Sequence, residues 1–285
     1  MSIINLLAET FHIPAANISP VYGGDINRAF KIIKDKKPYF VKVNDADFSF
    51  DMFEKEARGL RTLKEEGGIR VPGVVDVKSE GEYSILVLEW IDTGHRNSTT
   101  NKDIARQLSD LHQCKNDFYG LSYDNYLGTL VQKNGFEQDW LDFYYKNRIE
   151  YQLKMAIDSG LMSKQVTAKV DKMFSRISKD YPEVYPALLH GDLWGGNYMI
   201  DRDGKAVFID PAIYYGYREM DIAMMKLFGG FDQEVFELYD RFLPFDHHWQ
   251  SRIRFHQLYY ILAHVNLFGG GYVNSALNII EYYSG

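Results

Sequence analysis

Apolar and polar positions follow two different periods in the first third of the chain. Alternation at every second residue predicts strands over 19–22, 28–34 and 38–43, with Gly23-Gly24-Asp25 between the first two. Pro38 stands at the head of the third, where its missing N–H matters least. A short amphipathic helix is expected over 3–11. Phe53, Ala57, Leu60 and Leu63 recur at helical spacing and predict a long helix over 48–66, closed by Gly67-Gly68. Strands over 74–78 and 83–88 then form a hairpin around Ser79-Glu80-Gly81-Glu82.

Residues 92–101 are polar and rich in Ser, Thr and Asn, and mark a junction between two lobes, 1–92 and 93–285. Beyond it the apolar spacing is helical over 101–114, 138–159, 163–178, 219–228, 232–242, 247–267 and 272–283. The exception is 187–212, where strands over 198–200 and 206–209 flank Asp203-Gly204. Leu227-Phe228-Gly229-Gly230 and Leu267-Phe268-Gly269-Gly270 read as two helix ends closed by glycine. The fold class is α+β: a small lobe with a five-stranded antiparallel sheet and one helix, and a larger, mainly helical lobe.

Composition narrows the function. With 46% hydrophobic and 25% charged residues in 285, the chain can bury a large core and is not a disordered one. A net charge of −7 argues against nucleic acid as a partner. No apolar run reaches about 18 residues, so no membrane span is expected. The single cysteine, Cys114, excludes an intramolecular disulfide and a four-cysteine zinc site and fits a reducing, cytoplasmic setting. The N-terminal segment lacks the basic and long apolar parts of a signal peptide. Oligomeric state leaves no trace in the pattern.

The chemistry concentrates in Leu188-Leu189-His190-Gly191-Asp192-Leu193-Trp194-Gly195-Gly196-Asn197, followed by Val207-Phe208-Ile209-Asp210. An Asp, an Asn five residues later and a further Asp ending an apolar strand is the layout of a kinase catalytic loop and its metal-binding aspartate. Phosphoryl transfer needs a carboxylate beside the attacking hydroxyl, a role for Asp192. It also needs hard oxygen ligands for Mg²⁺, roles for Asn197 and Asp210. Lys42 interrupts the apolar run Phe40-Val41-Lys42-Val43, where a lysine is rare unless its charge is met, and would hold the ATP phosphates. Glu56, beside the apolar stripe of its helix, is the candidate partner of Lys42; Glu54 lies off that stripe. Gly23, Gly24 and Asp25 could cover the phosphates with backbone N–H groups. Two glycines between strands are alone only a turn, so that reading rests on their place ahead of the Lys42 strand. The Walker pattern is absent. Glu89, Trp90 and Ile91, ending the last strand before the junction, would meet the adenine edge through their backbone. His190 is read as fixing the loop rather than acting as a base, and Asp221 as bracing it.

The sequence resembles the fructosamine kinase (ketosamine-3-kinase) family, in the aminoglycoside phosphotransferase and choline kinase branch of the protein-kinase-like fold. The segment 188–197 carries the resemblance. So do Ile209-Asp210-Pro211-Ala212-Ile213-Tyr214-Tyr215-Gly216-Tyr217-Arg218-Glu219-Met220-Asp221, Leu227-Phe228-Gly229-Gly230-Phe231 and His264-Val265-Asn266-Leu267-Phe268-Gly269. It implies ATP-dependent phosphorylation of the 3-hydroxyl of a ketosamine, free or protein-bound, whose 3-phosphate eliminates and frees the amine. Candidate substrate contacts are Trp194, Tyr215, Arg218 and His264. Tyr217 stands where many members have His, and Asp25-Ile26 follow the glycines where some have Cys. A kinase of another small hydroxylated amine, of the aminoglycoside or choline type, is the alternative. A non-catalytic nucleotide-binding regulator predicts loss of Lys42, Asp192, Asn197 or Asp210, and all four are present.

Overall fold

The computed structural model describes residues 2–22, 27–179 and 181–285. Gly23, Gly24 and Asp25, expected over the ATP phosphates, lie outside the described residues. The N-terminal lobe opens with helix α1 (Ile3–Phe11), capped by the Ser2 side chain. Strands β1 (Ile18–Val21), β2 (Arg28–Lys34), β3 (Lys37–Asn44), β4 (Val74–Glu80) and β5 (Tyr83–Glu89) form one antiparallel sheet in the order β1-β2-β3-β5-β4. Helix α2 (Ser49–Glu65) connects β3 to β4.

The pleat divides the sheet's side chains between two cores. Val41 and Val43 of β3, with Ile85 and Val87 of β5, pack with Leu7 and Phe11 of α1. The alternate residues Leu86 and Leu88 join Phe53, Ala57, Leu60 and Leu63 of α2 in a second cluster. That cluster continues without a break through the helical lobe to Ile280. Helix α2 is therefore held from both lobes. An Ala at Gly59 would put its Cβ only 3.4 Å from Pro211 and 3.6 Å from Ile213, so the helix lies against the segment after Asp210.

The larger lobe contains α3 (Thr100–Leu111), α4 (Trp140–Phe143), α5 (Tyr151–Asp158), α6 (Val166–Ile177), α7 (Glu219–Phe228), α8 (Gln233–Phe242), α9 (Trp249–Phe268) and α10 (Gly271–Ser284). Glycine follows α7 and α9 as the sequence predicts, Gly229 at φ 75° and Gly269 at φ 63°. The single helix expected over 138–159 has a π-helical middle, Tyr144–Glu150, which buries Tyr144, Arg148 and Ile149 together.

Three-residue strands supply what periodicity could not show. Hairpin β6 (Asn125–Leu127) and β7 (Leu130–Gln132) is too short to display alternation and carries buried polar residues at its ends. Those residues position the site: Asn125 donates to the Ile213 carbonyl at 2.8 Å and Gln132 to the Ala212 carbonyl at 3.0 Å. Strand β8 (Ala187–Leu189) pairs with β11 (Tyr214–Gly216), and β9 (Tyr198–Ile200) with β10 (Ala206–Phe208). The catalytic-loop sequence runs from β8 to β9, and Asp210 follows β10.

Candidate active site

Four elements bring the candidate residues to one place. Strand β3 aims Lys42 toward α2, and its ammonium lies 2.7 Å from Glu56 and 2.6 Å from Asp210. The lysine is buried, its side chain 7% exposed. Burial opposes its charge, but the carboxylates of Asp210 and Glu56 outweigh that and hold its pKa above the ordinary value. Asp210 adopts a left-handed backbone at φ 55°, uncommon for a residue with a Cβ, and keeps its carboxylate 44% exposed while one oxygen accepts from Lys42.

Asp192 and Asn197 are fixed to each other. The Asn197 amide donates to the Asp192 carbonyl at 2.8 Å and to its carboxylate at 2.9 Å. That assigns the nitrogen to Asp192 and leaves the Asn197 amide oxygen for another partner. Burial pushes the Asp192 carboxyl up to about 7, opposed by the Asn197 hydrogen bond and aided by the charges of Asp210 and Asp221.

The loop is braced from below. Asp221, fully buried at the start of α7, accepts from the backbone N–H groups of His190 at 2.8 Å and Gly191 at 2.9 Å. His112 stands 3.2 Å from the same carboxylate through Nε2, and its Nδ1 is 2.8 Å from the Tyr239 hydroxyl. Burial lowers the His112 pKa, so the neutral ring donates from Nε2 and accepts from Tyr239. His190 reaches the Ile209 carbonyl at 3.0 Å through Nε2 and is also buried, in keeping with a structural part. Gly191 has φ 83°, and a Cβ there would meet the Ala212 carbonyl oxygen at 2.0 Å. Both facts exclude a side chain at the position where protein kinases carry Arg.

Trp194 is 40% exposed and lies over Gly196, where a Cβ would stand 2.3 Å from the indole. Gly195 donates to the Gly229 carbonyl at 3.0 Å, which ties the loop to the end of α7. The neighbouring Phe228 stacks on His264 with ring centres 4.6 Å apart. Nδ1 of His264 donates to the Tyr260 carbonyl at 2.8 Å, which leaves Nε2 as an acceptor; burial lowers this histidine's pKa too.

Two expected substrate contacts are placed elsewhere. Arg218 is 5% exposed and spends its guanidinium on the carbonyls of Leu243 at 3.1 Å and Pro244 at 2.5 Å, 3.4 Å from Asp246. It joins α7 to the end of α8. The Tyr215 hydroxyl donates to Glu66, beyond the end of α2, at 2.8 Å. Alternation along β11 puts it on the face opposite Tyr214. The Glu89 amide donates to the Gly73 carbonyl at 2.8 Å, and its carboxylate forms a two-point pair with Arg70 at 2.6 and 3.0 Å. Its N–H is therefore committed and is not available to the adenine edge. The Trp90 indole donates to Asp92 at 3.1 Å.

One contact that sequence reasoning missed is Arg96, in the junction. It donates to the Tyr198 hydroxyl at 2.8 Å and to Asp232 at 2.9 Å, and Tyr198 donates to the Gly230 carbonyl at 2.7 Å. The partners lie 102 and 136 residues away, so no local spacing marks them.

A sheet lobe with a carboxylate-paired lysine, closed on a braced His-Gly-Asp loop, defines a phosphotransferase of the two-lobed kinase-like fold. The chain belongs to the fructosamine kinase family, whose model matches residues 1–284. It is 39% identical over 266 residues to a "Probable ketoamine kinase" of Enterococcus faecium, covering 93% of this chain and 94% of that one. To the chloroplastic protein-ribulosamine 3-kinase of Arabidopsis thaliana it is 34% identical over 285 residues, covering 98% and 86%. The structure is similar to that of a "Putative fructosamine-3-kinase" from Haemophilus somnus 129PT, with a TM-score of 0.85 at 29% identity, covering 100% and 97%. Its likeness to the aminoglycoside phosphotransferase APH(4)-Ia, TM-score 0.66 at 15% identity over 99% of both chains, shows the fold. Among the described residues, no helix is long and apolar enough to cross a membrane.

Proposed function

We propose that this kinase transfers the γ-phosphoryl group of ATP to the 3-hydroxyl of a ketosamine, the rearranged adduct of a reducing sugar and an amine. The observation that carries the reading is the grouping of Asp192 with Asn197 and of Lys42 with Glu56 and Asp210. The names of the family and of its ketoamine and ribulosamine kinase members support the substrate class.

In this reading the sugar hydroxyl sits against the Asp192 carboxylate. A pKa near 7 makes that carboxylate a proton acceptor matched to neutral pH. The hydroxyl oxygen bonds to the γ-phosphorus, the bond to the ADP oxygen breaks, and the hydroxyl proton passes to Asp192. Asn197 keeps the carboxylate oriented throughout. Lys42, held by Glu56, neutralises phosphate oxygens, and positioning with fixed charge supplies most of the rate. The Asn197 amide oxygen and the Asp210 carboxylate are hard donors and fit Mg²⁺, which takes one or two protein oxygens and completes its shell with water and phosphate. Bound there, the ion would offset phosphate charge. Trp194 offers a face on which a sugar can stack, and His264 a lone pair at the rim. The product carries phosphate one carbon from the ketone, loses it by elimination, and releases the amine on hydrolysis. Deglycation, in the cytoplasm where ATP is renewed, is the proposed outcome.

The test is ATP turnover with Mg²⁺ on fructosyl-lysine, ribosyl-lysine, choline and kanamycin in parallel. Phosphorylation of a ketosamine followed by release of lysine is expected. Turnover confined to choline or kanamycin would refute the substrate class. Asp192→Ala should lose roughly 10²–10⁴-fold in turnover and still bind ATP; undiminished turnover in that variant removes Asp192 from the mechanism.

A further inference from the structure

A second groove of about 400 Å³ opens between the last turns of α2 and the larger lobe, and shares no lining residue with the Lys42 and Asp192 cluster. Arg58 lines it from α2 and Glu66 from just beyond that helix, and Lys115, Ser122, Tyr123 and Tyr215 from the other side. At 100° per residue Arg58 lies about 200° around the helix from Glu56, so the groove and the catalytic cleft use opposite faces of one element.

The charges here are unusual for this chain. The protein carries a net charge of −7, yet this groove holds two cations against one carboxylate. The Arg58 guanidinium lies 3.8 Å over the Tyr123 ring and the Lys115 ammonium 3.9 Å over the Tyr185 ring. Neither has a carboxylate partner among the described residues. A guanidinium with its face covered by an aromatic ring is held with its N–H edge outward, the arrangement that meets an oxyanion at two points. Glu66 accepts from Tyr215 through one oxygen only, which leaves the other to accept from a hydroxyl. The Tyr123 hydroxyl is buried without a hydrogen-bond partner among the described residues. A volume of about 400 Å³ is within the usual range for small ligands.

We propose that this groove is a second ligand site, for a small polyhydroxylated oxyanion, and that it is coupled to the catalytic cleft through α2 and β11. The anionic group pairs with Arg58 and Lys115, and a hydroxyl donates to Glu66. Both walls lead to the cleft. Arg58 is two residues from Glu56, and Tyr215 pairs with Leu188, two residues ahead of His190. A ligand that bridges them restrains the helix bearing Glu56 against the strand that runs into the catalytic loop. The binding claim stands apart from the substrate reading above; only the kinetic consequence rests on it.

The anion can be a phosphate ester or a carboxylate, so calorimetry would use ribose 5-phosphate, gluconate and inorganic phosphate as probes. The full chain would be saturated with AMP-PNP and Mg²⁺ so that the nucleotide cleft is filled. One of the sugar anions is expected to bind at one per chain, and which one identifies the source. Arg58→Gln and Lys115→Gln should each weaken it at least tenfold, with melting temperature and basal turnover near wild type showing that both variants are folded. The bound anion should lower KM for ATP about fivefold, and it should tighten AMP-PNP binding by the same factor by which nucleotide tightens anion binding. Three results overturn the site: no binding of any probe, binding displaced by AMP-PNP, or binding indifferent to both substitutions. Binding without a change in KM overturns the coupling. Specific binding in a protein that turns over no ketosamine would sink the substrate reading and leave this site standing.

Discussion

Replacing Asp221 by Asn is the sharpest perturbation the site permits, because shape is kept and only charge and one acceptor are changed. The carboxylate is fully buried and accepts from two backbone N–H groups of the catalytic loop at 2.8 and 2.9 Å. An amide offers one oxygen. Its NH₂ group must then face either a peptide N–H or the donor nitrogen of His112. A hydrogen bond to a charged group contributes about 1.5–3 kcal/mol, and an orphaned buried donor costs about 1–3 kcal/mol more. Relief of the buried charge offsets part of this. A loss of about 3 kcal/mol follows, or roughly 6–12 °C in melting temperature at about 2–4 °C per kcal/mol.

The catalytic effect should be about as large as the stability effect. A displacement of about 1 Å in a reacting group can cost about 10²-fold in rate. Asp221 holds the segment that ends in Asp192 but not the Lys42–Asp210 pair. Turnover of Asp221→Asn should therefore fall about 100-fold, with AMP-PNP affinity within a few-fold of wild type by calorimetry. Turnover within twofold of wild type, in a protein that has lost the expected stability, would show that the loop keeps its shape unaided and would refute the bracing argument.

Other substitutions probe the remaining supports. Glu56→Gln leaves Lys42 with Asp210 alone, and steady-state kinetics should show KM for ATP rising about tenfold, more than kcat falls, for the loss of one charge-assisted contact. Tyr198→Phe breaks the link from Arg96 to the Gly230 carbonyl; with Arg96→Gln it should show coupling of about 0.5–1 kcal/mol in a double-mutant cycle by urea unfolding, and strict additivity would deny that the two act as one clamp. His256 is buried, and burial lowers its pKa well below 6.5. Its stabilising contribution is present above pH 6.5 and is lost as pH falls, because the unfolded chain binds the proton that the folded ring refuses. Below pH 6.5 the wild type should lose about 1.4 kcal/mol per pH unit more than His256→Gln, and parallel pH profiles would contradict this.

Local spacing reveals a residue when its chemistry conflicts with its surroundings. Lys42 stands out because a lysine in an apolar strand demands an explanation, and Glu56 because it flanks an apolar stripe. The period-2 and period-3.6 patterns place β1 to β5 and α2 within two residues or so, because each packs at least one face into a core. The three-residue strands leave no such mark. Nor does the π-helical stretch around Arg148, where a buried guanidinium rests between aromatic rings, 4.0 Å from Tyr214 and 4.7 Å from Phe143.

Most of the supporting shell is illegible for a different reason. His112 and Asp221 are 109 residues apart, and Arg96 and Asp232 are 136. The motif marks Asp221 as a brace, but His112, Arg96 and Asp232 are ordinary polar residues on ordinary helices or loops until the fold joins each pair. Arg218 and Tyr215 err in the opposite direction: they lie beside the motif in sequence, and nearness along the chain suggested nearness to the substrate. One turn of backbone decides otherwise. Strand alternation sends Tyr215 to α2, and the entry to α7 sends Arg218 under the loop before Asp246, while Asp221, three residues further on, reaches the catalytic loop itself. Within this segment, then, the residue that braces the catalytic loop is the fully buried Asp221, while Tyr215 and Arg218, nearer the motif, tie other segments together around it.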